Sequence, residues 1–368
     1  MEIFYKNEDL IVSNSFYDHE LLVISFCPLI DERQTMTKES GFGKVFFENK
    51  KISSIYVIPT WNHWYQYEYM KDALEIIKVL AKGFKKVVLY GVSMGGYGVL
   101  KYANYLNASD VISISPQAAI TGPQSEFDSR FRQFWDRIDH KSDSWHVESN
   151  FPLNVTIFYD HYHYEDGRHA RLIAHHIKHA KLISLPFSGH EVFAVLNESG
   201  ILSDFIFALL AANVDYAQLL SKYRRNRAKS GVAWMYAARN SIARNRTGAA
   251  GRLYKKSIDV IEWRKSNGLT IDAAKAKMTL LNFVEFCFST KNYALFSDMY
   301  ERFSERKIIN VDLTEYYIEC CFLKGDGSAF VAAVQKLDKS GKARSPKVAG
   351  LAKRAIEQSI ATPSDFCL

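Results

Sequence analysis

The chain has 368 residues, of which 48% are hydrophobic and 24% are charged, a balance typical of soluble globular proteins. No apolar run is long enough to span a membrane, and the start, "MEIFYKNEDL", lacks the apolar stretch of a signal peptide, so we predict a cytoplasmic protein with no membrane span. The five cysteines are odd in number and include no CxxC pair, which disfavours both a disulfide framework and a zinc site.

The net charge of +7 is unevenly distributed along the chain. From Tyr216 to the end there are 27 Lys and Arg against 14 Asp and Glu, a balance of +13, whereas the preceding part carries −6. A chain of this length normally divides into two domains. We therefore predict a boundary near residue 213, with one domain at 1–212 and a basic domain at 213–368.

Up to residue 212, short segments rich in β-branched residues alternate with segments of helical spacing. The predicted strands are LLVISF (21–26), SSIYVIP (53–59), KKVVLYG (85–91), DVISIS (110–115), NVTIFYD (154–160) and KLISLP (181–186). The predicted helices cover 67–83, 96–106, 168–179 and 192–211. This alternation predicts an α/β fold in which a mostly parallel sheet lies between helices. The segment "MEIFYKNEDLIVSNS" predicts a hairpin at the edge of that sheet.

Two regions depart from this alternation. Residues 117–151 are rich in aromatic side chains and show no strand pattern, so we predict an insertion that lies over the sheet as a lid. From Tyr216 onward the spacing is helical, broken by Gly, Asn and Ser, which predicts an all-helical domain of stacked helical hairpins. Its period is too irregular for a tetratricopeptide array.

A serine between glycines follows one of the predicted strands. The residues Gly91-Val92-Ser93-Met94-Gly95 match the motif G-x-S-x-G, in which the serine occupies a sharp strand-to-helix turn. That turn raises the hydroxyl above the carboxyl-terminal edge of the sheet. The next amide, that of Met94, can stabilise an oxyanion from the start of a helix. We therefore predict that Ser93 is a nucleophile and that Met94 belongs to an oxyanion hole.

A serine hydroxyl is a poor nucleophile at neutral pH and needs a base. His190 follows the last predicted strand in "SGH", at the same edge of the sheet as Ser93, and is the predicted base. A further group of histidines, between positions 161 and 179, includes His175 and His179 on one helix face. Because "HHIKH" lacks the glutamate of the H-E-x-x-H motif, we interpret this group as a solvated helix and loop and predict no metal site.

The base requires a carboxylate that orients it. Asp160 directly follows a predicted strand, 30 residues before His190, and Asp166 lies 24 residues before His190. One helix and one strand must fit into that interval, which favours Asp160 and leaves Asp166 as the alternative acid. The other aspartate would brace a loop or form a surface ion pair with Arg168 or Arg171.

Residues 1 to about 212 resemble the α/β-hydrolase superfamily, because the elbow "GVSMGGYG", the late aspartate in "IFYD" and the histidine of "SGH" occur in the superfamily's order. The resemblance implies a second oxyanion amide in the loop "SFCPLI", where Phe26 or Cys27 is the candidate. The segment "IPTWNHWYQYEYM" follows the next strand and should reach the same edge. Its Trp61 and Trp64 would wall a substrate pocket or form a small aromatic core.

This set of residues predicts acyl transfer through an acyl-enzyme on Ser93, with no metal or organic cofactor. Carboxylic esters are the commonest substrates of such sites, so we predict a carboxylic ester hydrolase by analogy of fold. The aromatic segments suit an apolar or sugar-ring ligand, such as an O-acylated glycan. Two alternatives remain: an acyltransferase that uses the same triad, and a non-catalytic binding or scaffold protein with a basic helical docking domain.

The predicted helical domain contains the basic segments "SKYRRNRAK" and "RNSIARNR". Such segments can meet phosphates, so a protein or polyanion is the expected partner of this domain. No nucleic-acid fold signature accompanies them, which disfavours nucleic acid. The sequence leaves the oligomeric state open.

Overall fold

The computed structural model describes residues 2–30, 41–139, 141–143, 152, 154–211, 214–306 and 312–366, so part of the predicted lid at 117–151 lies outside the described residues. The chain divides into two units, Met1–Ala228 and Lys229–Leu368. The first unit is built on a sheet, and the second consists of helices.

The strands of the first unit form one sheet. In chain order they are β1 (Glu2–Lys6), β2 (Leu10–Ser15), β3 (Leu21–Phe26), β4 (Ser53–Pro59), β5 (Lys86–Val92), β6 (Asp110–Ile114), β7 (Asn154–Tyr159) and β8 (Lys181–Ser184). Their order across the sheet is β1-β2-β4-β3-β5-β6-β7-β8. Strand β2 runs antiparallel to β1 and β4, and the other described pairs are parallel. The predicted fold class is confirmed, including the hairpin at the edge.

Among the described residues, five helices lie in the connections between the strands, and three more follow β8. They are α1 (Lys44–Asn49), α2 (Met70–Ala81), α3 (Met94–Tyr102), α4 (Arg132–Trp135), α5 (Tyr164–His176), α6 (Val192–Glu198), α7 (Leu202–Leu210) and α8 (Tyr216–Asn226). Successive side chains of a strand point to opposite faces of its sheet. In β3, Leu22, Val23 and Ile24 are all fully buried, so both faces of this central strand are covered.

Two apolar side chains in the described part of the predicted lid belong to the hydrophobic core. Trp135 and Ile138, within and just after α4, are almost completely buried. They share one hydrophobic cluster with Leu22 and Phe26 of β3. This stretch therefore packs against the sheet and helps to bury it.

The first unit extends beyond the predicted boundary at residue 212. Helix α8 lies within it, and the Tyr223 side chain of this helix is fully buried. The Tyr223 hydroxyl donates a hydrogen bond to the Pro186 carbonyl at 2.8 Å, and the hydroxyls of Tyr216 and Thr156 lie 2.9 Å apart. The loss of strand pattern marks the end of the sheet, but the first helix after it still completes the sheet unit.

We expect a fragment of residues 1–228 to fold, and a fragment of residues 1–212 to be much less stable. The shorter fragment lacks α8, and the loss of one buried aromatic side chain such as Tyr223 typically costs about 3–5 kcal/mol. Urea unfolding followed by circular dichroism, with size-exclusion chromatography as a control for aggregation, compares the two. Equal stability of both fragments, or aggregation of the longer one beside a folded full-length chain, would contradict this division.

The second unit contains the helices α9 (Gly231–Ala243), α10 (Thr247–Ser266), α11 (Ala273–Ser289), α12 (Tyr293–Arg306), α13 (Thr314–Lys324), α14 (Gly327–Lys339) and α15 (Pro346–Glu357). Helices adjacent in sequence pack on one another from α9 to α14, and α15 packs on α13. The last three share a hydrophobic cluster that includes Ile318, Phe330 and Val348. From residue 229 onward the sequence has 23 Lys and Arg against 14 Asp and Glu, so this unit is basic.

Within the described ranges, no single helix has the length and apolar composition of a membrane span. Among the described helices, α6 and α7 reach this length and composition only as a pair, and they are bent by 117° at the break between them.

Candidate active site

Ser93 occupies the turn between β5 and α3. Its backbone has φ 54° and ψ −117°, a left-handed conformation that is uncommon for a residue with a side chain. The Ser93 amide donates to the Ile114 carbonyl at 2.8 Å, which ties the turn to the end of β6. This is the strained strand-to-helix geometry that the G-x-S-x-G pattern predicts.

The glycines on either side allow this turn to pack. A Cβ atom on Gly91 would lie 2.3 Å from the Gly95 carbonyl oxygen, and one on Gly95 would lie 2.2 Å from the Phe26 carbonyl oxygen. Both distances are far below van der Waals contact, and the obstructing atoms belong to the backbone. Helix α3 can therefore approach β3 and β5 only with glycine at these two positions.

His190 lies in the loop between β8 and α6. The Ser188 hydroxyl of this loop donates to the Leu185 carbonyl at 2.7 Å, and Gly189 has a positive φ of 56°. The Gly189 amide donates to the Asp160 carboxylate at 2.8 Å. This loop is thus fixed at the carboxyl edge of the sheet, the edge at which Ser93 lies.

The side chains of Ser93, His190 and Asp166 form a hydrogen-bonded series. The distance from His190 Nε2 to Ser93 Oγ is 2.9 Å. His190 Nδ1 lies 2.9 Å from Asp166 Oδ2 and 3.0 Å from Asp166 Oδ1. Because a carboxylate can only accept, Nδ1 carries the proton and Nε2 is left to accept the serine hydroxyl.

Asp166, and not Asp160, makes the hydrogen bond to His190. This corrects our preference for Asp160 as the orienting carboxylate. The Asp160 carboxylate turns back to its own loop and accepts the amides of Tyr162 at 2.9 Å and Gly189 at 2.8 Å. Asp166 lies in the first turn of α5, which begins at Tyr164. Because the helix begins so soon after β7, its first turn remains at the carboxyl edge of the sheet. The argument that favoured Asp160 from its spacing to His190 did not take this early start of α5 into account.

The Asp166 carboxyl is almost completely buried, at 1% exposure, and both Arg130 and His190 donate to it. Arg130 Nη2 lies 3.0 Å from its Oδ1, and His163 Nδ1 lies 3.3 Å from the same oxygen. Burial alone would raise the pKa of Asp166, but His190 and His163 outweigh burial and hold this pKa well below its usual value. Asp166 is therefore a carboxylate at any pH at which His190 can act as a base.

His169 contradicts our interpretation of the histidine-rich segment as solvated, since its ring is fully buried. The Ala118 amide donates to His169 Nδ1 at 3.1 Å, so Nε2 carries the proton and donates to Asp128 Oδ2 at 3.1 Å. Burial lowers the pKa of His169 despite the nearby carboxylate, which keeps the ring neutral. No group of three or more His, Cys, Asp or Glu that could hold a metal occurs in the described part of the chain.

The two predicted oxyanion donors, the amides of Met94 and Cys27, have different surroundings in the structure. Met94 is the first residue of α3, where amides have no acceptor within the helix, and its amide adjoins Ser93. The Cys27 amide instead donates to the Val57 carbonyl at 3.3 Å, so it is already used within the sheet, and the expectation for Cys27 is wrong. Burial raises the pKa of the Cys27 thiol to about 12, which also excludes this residue as a thiolate nucleophile.

Of the two tryptophans predicted to wall a pocket or to form an aromatic core, Trp64 lies in the core and the half-buried Trp61 packs against it. Trp64 is fully buried and donates to Gln117 Oε1 at 3.0 Å, and the Trp61 indole donates to Asp9 Oδ1 at 2.7 Å. The ring next to the site is Phe131, whose centroid lies 5.7 Å from that of His190 and 5.6 Å from that of Trp64.

Sequence reasoning missed Asp128, Arg130 and Phe131, all within the segment predicted to be a lid. Their signal is present in "FDSRFRQFW", where charged residues stand among aromatic ones. Charged side chains in a stretch that packs into a core are almost always paired.

The fold and this geometry together define a class of protein: an α/β-hydrolase-like sheet with a serine, a histidine and an aspartate joined by hydrogen bonds at its carboxyl edge.

No protein-family model matches the chain, and neither does any curated protein sequence. The capsule O-acetyltransferase of Neisseria meningitidis serogroup A, solved in complex with CoA, aligns over 56% of this chain and 94% of its own, with 12% identity and a TM-score of 0.42. A lidless α/β serine hydrolase from Xanthomonas campestris aligns over 55% of this chain and 91% of its own, with 13% identity and a TM-score of 0.33. The glycosylation-associated Gap123 complex of Streptococcus agalactiae aligns over 55% of this chain and 44% of its own, with 14% identity and a TM-score of 0.42.

Proposed function

We propose that the protein is a serine hydrolase that cleaves carboxylic esters through an acyl-enzyme on Ser93. The observation that carries this proposal is the unbroken hydrogen-bonded series from Ser93 through His190 to Asp166, with both distances to the imidazole at 2.9 Å. A serine on a strained turn, a base within reach of its proton and a buried carboxylate behind the base are the parts that nucleophilic acyl transfer needs. A merely structural serine would need none of them.

The first half-reaction forms the acyl-enzyme. His190 Nε2 takes the hydroxyl proton as Ser93 Oγ attacks the ester carbonyl, and the resulting oxyanion faces the Met94 amide. The Asp166 carboxylate stabilises the imidazolium through Nδ1. When the tetrahedral intermediate collapses, the bond to the alcohol oxygen breaks and His190 returns its proton to that oxygen.

The second half-reaction repeats these steps with water. His190 takes a proton from the water, the hydroxide oxygen attacks the acyl carbon, and Ser93 leaves with the proton that His190 returns. The reaction uses only side chains, an amide and water, so its chemistry requires no metal or organic cofactor. Trp64, one of the aromatic residues that suggested a sugar-ring ligand, is fully buried in the core and does not support a glycan substrate.

The full-length protein tests this proposal with two reagents. We expect a fluorophosphonate probe to label Ser93, located by mass spectrometry of the digested protein, and p-nitrophenyl acetate to release p-nitrophenolate with acetate as the co-product. A series of added alcohols separates hydrolysis from acyl transfer, because an acyltransferase would form the new ester in preference to acetate. Absence of both labelling and turnover in the folded protein would contradict the proposal and favour a binding role.

A further inference from the structure

One guanidinium joins the Asp166 carboxylate of the triad to a second buried carboxylate, that of Asp128. Arg130 and Asp128 form a bidentate ion pair, a two-point contact in which Nε lies 2.9 Å from Oδ1 and Nη2 lies 2.7 Å from Oδ2. The same Nη2 lies 3.0 Å from Asp166 Oδ1. The Asp128 side chain is fully buried, that of Asp166 is 1% exposed and that of Arg130 is 24% exposed. Buried carboxylates need such partners, and the planar guanidinium of arginine meets them in fixed directions.

The Asp128 carboxylate also accepts a hydrogen bond from a second imidazole. His169 Nε2 lies 3.1 Å from Asp128 Oδ2, and the Ala118 amide fixes the other ring nitrogen. His169 follows Asp166 by three residues on α5, so both side chains lie on one face of this helix. The site therefore contains two histidine–aspartate pairs that share Arg130.

The contacts fix the orientation of the Asp166 carboxylate. The two-point contact with Asp128 sets the plane of the guanidinium, and this plane directs Nη2 at Asp166 Oδ1. With Oδ1 held by Arg130, the carboxylate presents both oxygens to His190 Nδ1, Oδ1 at 3.0 Å and Oδ2 at 2.9 Å. A carboxylate without this contact could rotate about its χ2 torsion, which is broad for aspartate.

The charges have a second consequence. The cation of Arg130 opposes the negative charge of Asp166, and Asp128 offsets that cation in turn. The group of Asp128, Arg130 and Asp166 therefore carries a net charge of about −1, which remains available to stabilise the imidazolium that His190 becomes during catalysis.

We propose that Arg130 is a positioning residue that orients Asp166 for His190, and that Asp128 preserves the negative charge of this group. The inference rests on the proposed function, since it concerns the same triad. Every variant below keeps the other titratable groups near the site: Glu165 and His169 on α5, His163 just before α5, Asp160 after β7, and Glu191 before α6.

The test is the pH dependence of the rate at which the fluorophosphonate probe labels full-length protein. Arg130→Met removes a cation near His190, so the His190 imidazole keeps a proton to higher pH. The midpoint, meaning the pH at which the labelling rate on the acid side is half of its maximum, is therefore expected to rise by about one pH unit. Asp128→Asn leaves the cation without its offset, and we expect the midpoint to fall by a similar amount. The double variant removes one charge of each sign, and its midpoint is expected to return to within about 0.3 pH unit of the wild type.

The maximal labelling rate measures how well Asp166 is positioned, whereas the midpoint measures the charge near His190. We expect Arg130→Met and the double variant to lose about 10- to 100-fold at their optimal pH, because the carboxylate is no longer held. Arg130→Lys keeps the charge without the planar contact, so its midpoint should stay near that of the wild type while its maximal rate falls. Arg132→Met, in which an exposed arginine two residues away is removed, is the matched control and should change neither quantity.

The outcomes separate this inference from the proposed function. Midpoints that do not move in folded Arg130→Met, or that move in the same direction in Arg130→Met and Asp128→Asn, would overturn the role of these residues while labelling of the wild type still stands. If the wild type is not labelled, titration of His190 by ¹⁵N NMR in the full-length protein measures the same shifts without catalysis. If Asp128→Asn does not fold, the comparison of Arg130→Met with Arg130→Lys decides, since only the former removes the charge.

Discussion

Replacement of Ser93 by alanine is expected to lower ester turnover by about 10⁶-fold, because loss of the nucleophile removes the acyl-enzyme route altogether. The hydroxyl is a small group on a turn held by backbone contacts, so the folded structure should change little. The measurement is the rate of p-nitrophenyl acetate hydrolysis together with fluorophosphonate labelling, with the melting temperature recorded for each protein.

Ser13→Ala is the matched control for this experiment. Ser13, like Ser93, is buried, but it lies in β2, and its hydroxyl has no hydrogen-bond partner among the described residues. Its removal should leave labelling and turnover unchanged. Undiminished labelling of Ser93→Ala would show that another residue reacts with the probe and would reject Ser93 as the nucleophile.

Asp166→Asn is expected to lower turnover by about 10⁴-fold with little change in fold. Arg130 can only donate, so it selects the amide oxygen of the new asparagine and directs the amide NH₂ group towards His190 Nδ1. The imidazole then accepts at Nδ1 and carries its proton on Nε2. In that tautomer it cannot take the proton of Ser93.

Asp160→Asn provides the comparison for this variant. Asp160 accepts two backbone amides, whereas the ring nitrogens of His190 bond to Asp166 and Ser93, so replacement of Asp160 should lower the melting temperature and reduce turnover by only about 10-fold. Steady-state rates of both variants across pH, beside their melting curves, decide the matter. A large loss of turnover in Asp160→Asn with near-normal activity in Asp166→Asn would restore the assignment that the sequence favours.

The parts of this molecule that the sequence predicts well depend on local patterns. Strands β3 to β8 follow runs of β-branched residues, and the turn at Ser93 follows from glycines whose Cβ atoms would collide with backbone. These constraints act between residues close in sequence or on neighbouring strands. A single sequence therefore displays them directly.

The parts that it predicts poorly depend on contacts between distant residues. The choice between Asp160 and Asp166 depends on where α5 begins and on the two amides that Asp160 already accepts. The burial of His169 depends on Asp128, which is 41 residues away. Helix α8 looks like the start of a helical domain until the contact of Tyr223 with Pro186 assigns it to the sheet unit.

The order of the strands places the parts of the triad in regions of different local stability. Ser93 follows β5, which has four strands on one side and three on the other, whereas His190 follows β8, a four-residue strand at the edge of the sheet with no fully buried residue. Edge elements open locally at a lower free energy than the centre of a sheet. We therefore expect heat or mild denaturant to move His190 away from Ser93 while the central strands remain intact. Loss of activity should then precede the cooperative melting of the unit, so an activity assay would report on that edge rather than on the fold as a whole.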